Sequence, residues 1–282
     1  MRKVFAVLLA LSLGSMIVSC SDDETTVTPV PTFGVTTAAL AQGYTCSPYN
    51  FTLEAEGGTA PYTWALEEGS SLPAGIAMTE DGMIMGVLES VGSWDFTVVC
   101  TDASGTPRTA TADLTLEMNV PANPSLAIFF DEDATVCGAE TMAFSALDCH
   151  VFIMLEDSEV DCSFGTEFMI NICDVNGNAL GIGTQYTHSY VSFPQTVSVT
   201  MGDPFSGIAI AFDREQYSSF VGPIHVASFG LLLFENLDNL SFKILPSPTQ
   251  EGDRPIIASC DEMRSIIAVD GRSAALNYSA GE

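Results

Sequence analysis

Three oxygen-bearing side chains in one short stretch are the residues of this sequence best spaced to bind a metal ion. Asp174, Asn176 and Asn178 alternate along the chain, as the ligands of a calcium-binding loop do. The sixth position of such a loop is Ala179 here rather than glycine, and the twelfth is Gln185 rather than glutamate. A plain Asn-Gly hairpin turn therefore fits the stretch better, and Ca²⁺ remains the alternative that the sequence leaves open.

Motifs for catalysis are missing from the sequence. It holds no G-x-S-x-G nucleophile elbow, no H-E-x-x-H zinc motif and no P-loop, and Gly181 and Gly183 lack the third glycine of a dinucleotide-binding loop. The three histidines, His150, His188 and His225, lie in strand-like or tyrosine-containing segments and are interpreted as structural. The sequence therefore predicts a protein that is not an enzyme, has no catalytic residues and requires no cofactor.

The beginning of the chain suggests a different chemistry, the attachment of a lipid. Arg2 and Lys3 precede an apolar run over residues 4–18, which is too short to span a bilayer comfortably but has the length of a secretory signal. No later segment of the sequence reaches 18 apolar residues, so no membrane-spanning helix is predicted. The run ends in the letters IVSC at 17–20, which resemble the lipobox of bacterial lipoproteins.

The lipobox resemblance implies that Cys20 anchors the chain in the bacterial cell envelope. Its thiol would take a diacylglycerol before residues 1–19 are removed, and two or more acyl chains, such as palmitate, hold a protein stably on a membrane. Ser21, in place of aspartate, resembles cargo sorted onward to the outer membrane. The leaflet, and whether the chain is periplasmic or surface-exposed, stay open.

The charge of the chain excludes one class of partner. The sequence has 36 acidic against 8 basic side chains, a formal charge of −28, and removal of residues 1–19 would take away two of the basic ones. Nucleic-acid binding needs a clustered basic surface that releases counterions, so no nucleic-acid partner is predicted. A hypothesis that follows from this one-sided charge is that the protein works in saline surroundings, where salt screens its self-repulsion.

Strand patterns predict an all-β protein of two β-sandwich domains. Residues 20–33 are acidic and rich in Thr and Pro, without periodicity, and are interpreted as a lipidated tether. Residues 34–118 contain roughly seven short alternating apolar runs, the number expected for an immunoglobulin-like sandwich. Roughly nine or ten further runs follow in a second predicted sandwich over residues 125–282. The segment 119–124, with two prolines, is the predicted linker.

Five motifs within residues 34–118 identify the first domain more closely. They read EGG and then PYTW within 56–64, LPAGI at 72–76, DGMIMG at 81–86, GSWDFTV at 92–98 and TDASG at 101–105. In this order they resemble the putative-Ig family of bacterial domains, which is related to the cadherin-like modules of dystroglycan. The resemblance implies an immunoglobulin-like, cadherin-like sandwich, and it keeps Ca²⁺ in view because some cadherin-like relatives bind it.

The second predicted domain has a looser resemblance. FDE at 130–132 followed by Cys137, FGTEF at 164–168, and the segment 257–261 with its Cys260 are similar to an uncharacterised β-sandwich found in exported bacterial proteins. None of these pieces is specific. The resemblance implies no activity.

Seven cysteines remain once Cys20 is assigned to a lipid, and they favour disulfides, because the envelope is oxidising and no C-x-x-C pair exists. Cys46 and Cys100 both lie in the first predicted domain, where a bridge between them is possible although Cys46 has the wrong strand parity for the core. The second domain allows two bridges and one free thiol in fifteen ways. Its cysteines are Cys137, Cys149, Cys162, Cys173 and Cys260.

Three functions are compatible with this organisation. The leading interpretation is an envelope-anchored lipoprotein whose sandwiches serve as an adhesion or interaction module, bound to the membrane through its lipid and to an unknown protein or glycan partner. The second is a carbohydrate-binding module, for which Tyr186, Tyr190 and Tyr217 are the candidate exposed aromatics. The third is a structural spacer of the envelope with no soluble ligand.

Overall fold

The computed structural model describes residues 32–217, 223–261 and 265–278, except for the side chains of residues 190, 216 and 217. The predicted signal segment, Cys20 and most of the tether lie outside the described residues. The described residues form 22 β-strands and no helix, so the predicted all-β fold is confirmed. In this part of the chain, accordingly, no helix is long and apolar enough to cross a membrane.

Nine strands over residues 34–119 form the first sandwich. They are β1 (Gly34–Val35), β2 (Gly43–Tyr44), β3 (Tyr49–Thr52), β4 (Ala55–Glu56), β5 (Thr63–Leu66), β6 (Ile76–Met78), β7 (Met83–Gly86), β8 (Gly92–Thr101) and β9 (Thr109–Asn119). One sheet has the order β2-β9-β8-β5 and the other the order β3-β7-β6, while β1 pairs with β4. Strand β9 alternates as its sequence predicts, with Leu114, Leu116 and Met118 buried and Thr115 and Glu117 exposed.

A close approach of two backbones explains the glycines in two of the sequence motifs. Strands β6 and β7 pair so that Ile76 lies opposite Gly86, and a Cβ atom on Gly86 would collide with the carbonyl oxygen of Gly75. Gly82 has a φ of +89°, and a Cβ there would lie 2.6 Å from the indole ring of the buried Trp64. The motifs LPAGI and DGMIMG therefore specify backbone packing in the sandwich.

The TDASG motif contributes a buried carboxylate, Asp102. Its side chain is fully enclosed and accepts hydrogen bonds from the backbone N–H groups of Arg108 at 2.8 Å and Thr59 at 3.2 Å, and from the Ser104 hydroxyl at 2.8 Å. The Arg108 guanidinium lies 2.7 Å from the same carboxylate. The backbone N–H of Arg108, more than any other group, holds the pKa of Asp102 well below its usual range. Asp102 thus fastens two turns of the first sandwich to each other.

Thirteen strands over residues 125–276 form the second sandwich. They are β10 (Ser125–Phe129), β11 (Gly138–Ala139), β12 (Ala146–Met154), β13 (Cys162–Cys173), β14 (Tyr186–Ser192), β15 (Val197–Asp203), β16 (Gly207–Tyr217), β17 (Ile224–Leu233), β18 (Leu240–Leu245), β19 (Ile256–Ser259), β20 (Ile266–Ala268), β21 (Asp270–Gly271) and β22 (Ala274–Leu276). One sheet has the order β14-β17-β12-β10-β21 and the other the order β11-β22-β18-β13-β16-β15. Strand β19 also pairs with β13, and β20 with β19.

The long strand β13 organises the second of these sheets. Its first half pairs with β16 on one side and β19 on the other, and its second half pairs with β18. The core between the sheets includes Phe168, Phe229 and Phe242, each without exposed surface. Burial of this apolar surface is the main stabilising contribution in such a sandwich.

The disulfide predicted as possible between Cys46 and Cys100 is wrong. The structure joins Cys46 to Cys137 instead, with Cα atoms 5.3 Å apart, and leaves Cys100 as a buried free thiol. The physical reason is distance along the sandwich. Gly92 begins β8 near the Cys46 end of the domain, and eight strand residues separate it from Cys100, about 26 Å at the usual rise per residue. A disulfide requires Cα atoms within about 7 Å.

The remaining cysteines divide into one further bridge and two thiols. Cys162 is bonded to Cys260, with Cα atoms 5.6 Å apart at the end of the β13–β19 pair. Cys149 and Cys173 are free and buried. Because Cys137 bonds outside its own sandwich, only one of the two bridges expected within the second domain forms.

Polar contacts also join the two sandwiches near the Cys46–Cys137 bond. The amide nitrogen of Asn50, in β3, donates to the Tyr278 hydroxyl at 2.8 Å and to the Val175 carbonyl at 3.3 Å. In the segment 119–124, the Pro121 carbonyl accepts a hydrogen bond from the Arg272 guanidinium at 3.3 Å. Covalent and hydrogen-bonded contacts therefore fix one sandwich on the other.

Candidate functional site

The outer side of the sheet built on β13 carries two rows of mostly apolar residues that cross five strands, with Gly165 and Glu167 as their central members. In an antiparallel sheet, residues directly opposite each other point to the same side. The pairing register therefore places the members of each row on one surface. The first row is Val199, Ala211, Gly165, Ala258 and Ile266; the second is Met201, Ala209, Glu167, Ile256 and Ala268. We call these ten positions the apolar face.

The two ends of the apolar face are exposed to solvent, whereas its middle positions are half-buried or, at Gly165, buried. Met201 is 66% exposed, Ile266 63% and Val199 53%, which places them among the most exposed large hydrophobic residues described. The intervening positions point inward, and Ile210 and Ile257 are buried in the core. Both sides of these strands are therefore apolar, but only the inner side is packed against a second sheet.

This arrangement differs from what the sequence pattern of β16 predicts. The run at 208–212 is apolar at every position, which is typical of a central strand buried on both faces. In the structure Ile208, Ile210 and Phe212 are buried, whereas Ala209 is half-buried and Ala211 is exposed. The alanines contribute to the surface of the apolar face.

The apolar face is broad and ends at an open sheet edge. Five adjacent strands at about 4.8 Å spacing span about 19 Å. Strand β15 is the last strand of its sheet, so its outer edge has no neighbouring strand among the described residues. An exposed apolar patch of this extent is more typical of an interaction surface than of an ordinary monomer surface.

Acidic groups surround the apolar face. Glu167, in the middle of the second row, accepts a hydrogen bond from the Thr249 hydroxyl at 2.8 Å. Glu251 and Asp253 are exposed on the loop that leads from Thr249 into β19, and Asp261 is exposed where β19 ends. Arg254, on the same loop, is paired with Asp270 at 3.2 Å. The exposed acidic groups described at this side of the face favour a partner of opposite charge.

The predicted calcium ligands lie together in a tight turn between β13 and β14. The Asp174 carboxylate accepts hydrogen bonds from the backbone N–H groups of Asn176 at 2.9 Å and Asn178 at 2.8 Å, and from the Asn178 amide at 3.0 Å. The Asn178 hydrogen bonds are the main cause that lowers the pKa of Asp174. Among the described residues there is no group of three His, Cys, Asp or Glu side chains that could hold a metal. Calcium binding at Asp174 stays a prediction.

The histidines occupy packed positions. His150 Nδ1 and His225 Nε2 both lie 2.8 Å from the Ser228 hydroxyl, and His150 and Ser228 are buried. His188 stacks on Phe205 with ring centroids 4.8 Å apart. The Ser228 hydroxyl is enclosed, so this pair of histidines is a buried hydrogen-bonded network rather than an open nucleophile site.

The tyrosines suggested for carbohydrate binding do not form an exposed strip in the part of the chain that the structure describes. Tyr186 is only 3% exposed and belongs to the core of the second sandwich, which corrects the expectation that it faces solvent. The side chains of Tyr190 and Tyr217 lie outside the described residues, as does the predicted lipidation site, Cys20.

The sequence contained a partial signal for the apolar face. Apolar residues stand at both strand parities in 256–258 and 266–268 as well as in 208–212. A one-residue change of register moves a side chain to the other side of a sheet. The face therefore emerges only when the pairing of β15, β16, β13, β19 and β20 is known.

Comparison with known families identifies the first sandwich. Residues 25–119 match the family model described as "Putative Ig domain", which confirms the resemblance of the five motifs. An Ig-like sandwich is typically a non-catalytic fold and supports an interaction module. Comparison with curated proteins finds no match.

Several solved structures are similar to the chain, all at low identity. A cohesin module of a Clostridium perfringens family 33 glycoside hydrolase is 8% identical, with a TM-score of 0.37, over 55% of this chain and 97% of that one. A protein described as "Putative membrane anchored protein" from Corynebacterium diphtheriae is 11% identical, with a TM-score of 0.28, over 89% of this chain and 59% of that one. The D00-D0 domain of intimin is 9% identical, with a TM-score of 0.24, over 79% and 96%.

Proposed function

We propose that this chain, whose residues 25–119 match an Ig-like domain family, is an envelope-anchored lipoprotein that binds a partner protein through the apolar face of its second sandwich. The observation that carries the proposal is the exposure of Val199, Met201 and Ile266 at the two ends of the mostly apolar rows that cross five strands. The Ig-like sandwich, fixed to the second one by Cys46–Cys137, would present that face away from the membrane.

The shape and composition of the apolar face favour a protein as the partner. The face extends over five strands, and none of its ten positions carries an aromatic ring on which a sugar could stack. Interfaces between proteins combine an apolar centre with a polar rim. Since Glu167 lies within the face and Glu251 and Asp253 lie beside it, the complementary partner has an apolar surface that also carries Lys or Arg side chains.

The lipid anchor rests on the sequence at Cys20. A Cys20→Ala variant should move from the membrane fraction to the soluble periplasmic fraction, because its acyl chains are lost. Cys173→Ala serves as the control, since it also removes a cysteine, one that forms no disulfide, but leaves the lipobox intact. A Cys20→Ala protein that stays entirely with the membrane would contradict the anchor.

The binding face can be tested by site-specific photo-crosslinking in cells that produce the full chain. A benzophenone amino acid is placed at Val199, Met201 or Ile266, and at the exposed Val91 of the first sandwich as a control. We expect one and the same protein to crosslink to the three face positions and not to Val91. Ile266→Asp should abolish the crosslink from Val199.

Other outcomes overturn the proposed face. A lack of adducts at all three positions would favour the spacer interpretation. A crosslink to Val91 of equal strength would place the contact elsewhere. An adduct with a second copy of the chain would show self-association instead of partner binding.

A further inference from the structure

A second surface, at the turn between β11 and β12, shares no residue with the apolar face. Met142 is 71% exposed and Phe144 72%, the two highest values among the large hydrophobic residues described. Both side chains project from the same short turn, which lies beside the end of β17. Exposing two large apolar side chains this fully is unfavourable unless they contact something outside the chain.

The backbone at Phe144 adopts a conformation that bulky residues rarely take. Its φ is +62°, in the left-handed region that favours glycine or asparagine. The Phe144 N–H donates to the Leu233 carbonyl at 2.8 Å, and the ring packs against Phe234 with centroids 6.5 Å apart. The Phe144 ring therefore has Phe234 as an aromatic neighbour, while most of its surface is in solvent.

Two asparagine side chains hold this turn in place. The side-chain oxygen of Asn277 accepts from the Thr141 N–H at 2.6 Å, and its amide donates to the Leu237 carbonyl at 2.8 Å. The side-chain oxygen of Asn236 accepts from the Ala143 N–H at 2.8 Å, which leaves the Asn236 amide group as a donor. Binding surfaces with such preformed side chains lose less entropy when a ligand arrives.

The turn borders a groove with a volume of about 760 Å³. This lies in the size range of small-molecule binding sites. Its polar lining combines two carboxylates, two amides and two hydroxyls, and its apolar lining includes Met142. The polar residues are Glu140, Thr141, Ser145, Asn236, Asp238 and Asn277.

The charge of the groove selects among ligands. Glu140 and Asp238 line it, and no Lys or Arg does. Carboxylates accept hydrogen bonds and repel anions, so they suit a ligand that offers many hydroxyl donors and no negative charge. An exposed ring such as Phe144 suits the apolar C–H face of a sugar.

We propose that this groove is a binding site for a neutral oligosaccharide. Phe144 is not among the lining residues but lies on the turn between Met142 and Ser145, which do line the groove, so its ring would pack on a sugar at the edge of the groove. Asp238 and Glu140 would accept hydrogen bonds from sugar hydroxyls, and the Asn236 amide would donate to a hydroxyl oxygen. The site is independent of the proposed protein-binding face.

A glycan array followed by calorimetry tests the site with the purified chain. The array carries neutral oligosaccharides such as gluco-, xylo- and manno-hexaoses, together with sialylated and polygalacturonate glycans as the anionic arm. We expect binding to at least one neutral oligosaccharide and none to the anionic ones. Phe144→Asn, which suits the left-handed backbone but lacks the ring, should weaken binding about tenfold.

Matched variants separate this site from a general effect on the fold. Asp238→Asn should also weaken binding, whereas Ile266→Asn on the apolar face should leave it unchanged, and all three variants should melt near the temperature of the unmodified chain. Silence of every neutral glycan, binding of anionic glycans only, or affinity unaffected by both Phe144→Asn and Asp238→Asn would overturn the proposal. None of these results depends on whether the apolar face binds a protein.

Discussion

Cys46 and Cys137 belong to different sandwiches and are bonded to each other, with their Cα atoms 5.3 Å apart. Cys46 lies in the turn between β2 and β3, and Cys137 directly precedes β11. The two residues also contribute to a small apolar cluster with Phe129 and Phe152. The bond therefore closes the junction at which one sandwich rests on the other.

Removing this disulfide should destabilise the whole described unit. The bond spans 91 residues. In the chain-entropy account a loop of this length is worth about 2 to 5 kcal/mol in the free energy of unfolding. Cys137→Ser should lose that amount in guanidinium denaturation, and Cys46→Ser with Cys137→Ser should lose no more than either alone. A nonreducing peptide map that finds Cys46 joined to Cys100 would contradict the structure.

Asp102 should make the first sandwich sensitive to acid. Its pKa is lowered in the folded state from its ordinary value of 3.8, mainly by the Arg108 backbone N–H. The stability it contributes is present above that ordinary value and is lost as the pH falls through it toward the folded pKa. Melting temperatures measured from neutral to strongly acidic pH should fall steeply below about pH 4.

The matched variant for this test is Asp102→Asn, which keeps the shape but removes the charge. It should melt at a lower temperature at neutral pH and depend less on pH in the acidic range. Asp113→Asn, at an exposed site of the same sandwich, should behave like the unmodified chain. Identical acid profiles for the Asp102 variant and the unmodified chain would show that the carboxylate contributes nothing.

The pair of His150 and His225 should make the stability of the second sandwich depend on pH in a milder range. Burial lowers the pKa of His225 below 6.5, and His150 lowers it further, against a hydrogen bond to Ala227 and the charge of Glu132. Between the lowered pKa of the folded chain and the ordinary value of 6.5, the unfolded chain binds more protons than the folded one. The free energy of unfolding should therefore fall as the pH drops through 6.5. In His225→Gln the melting temperature should change less between about pH 7 and pH 5 than in the unmodified chain. Equal slopes for both proteins would argue against the assignment.

Salt should stabilise the chain. A formal charge of −28 makes the folded state repel itself, and ions screen that repulsion. The melting temperature should therefore rise between low and high NaCl. Equal melting temperatures in both would sink the hypothesis of saline surroundings.

Calcium should have little effect on the turn at Asp174. Both carboxylate oxygens already accept hydrogen bonds within the turn, and an ion would have to replace them. Melts in CaCl₂ and in EDTA should coincide. A calcium-dependent rise that Asp174→Ala removes would instead establish a site there.

The sequence allowed the all-β class and the Ig-like motifs to be predicted, because turn glycines and strand alternation act over a few residues. The packing of Gly75 against Gly86 and the burial on one side of β9 follow from such local patterns. The Cys46–Cys137 bond could not be predicted in this way, since it depends on how two separately folded sandwiches dock.

The apolar face could not be predicted from the sequence for a related reason. Val199 and Ile266 share a surface only because three distant chain segments pair in one register. Tyr186 shows the converse case. Its position in a tyrosine-containing segment suggested exposure, but the neighbouring sheet covers it, and the large aromatic residues that the described part of the chain exposes are Tyr44 and, more fully, Phe144.

The unpaired edge of β15 suggests a role for the negative charge of the chain in preventing self-association. A strand with an unpaired edge and exposed Val199 and Met201 is the kind of segment along which identical chains polymerise. Two copies that each carry −28 repel one another before their edges can meet. The negative charge therefore opposes edge-to-edge association of copies of this chain and allows Val199 and Met201 to stay exposed without aggregation.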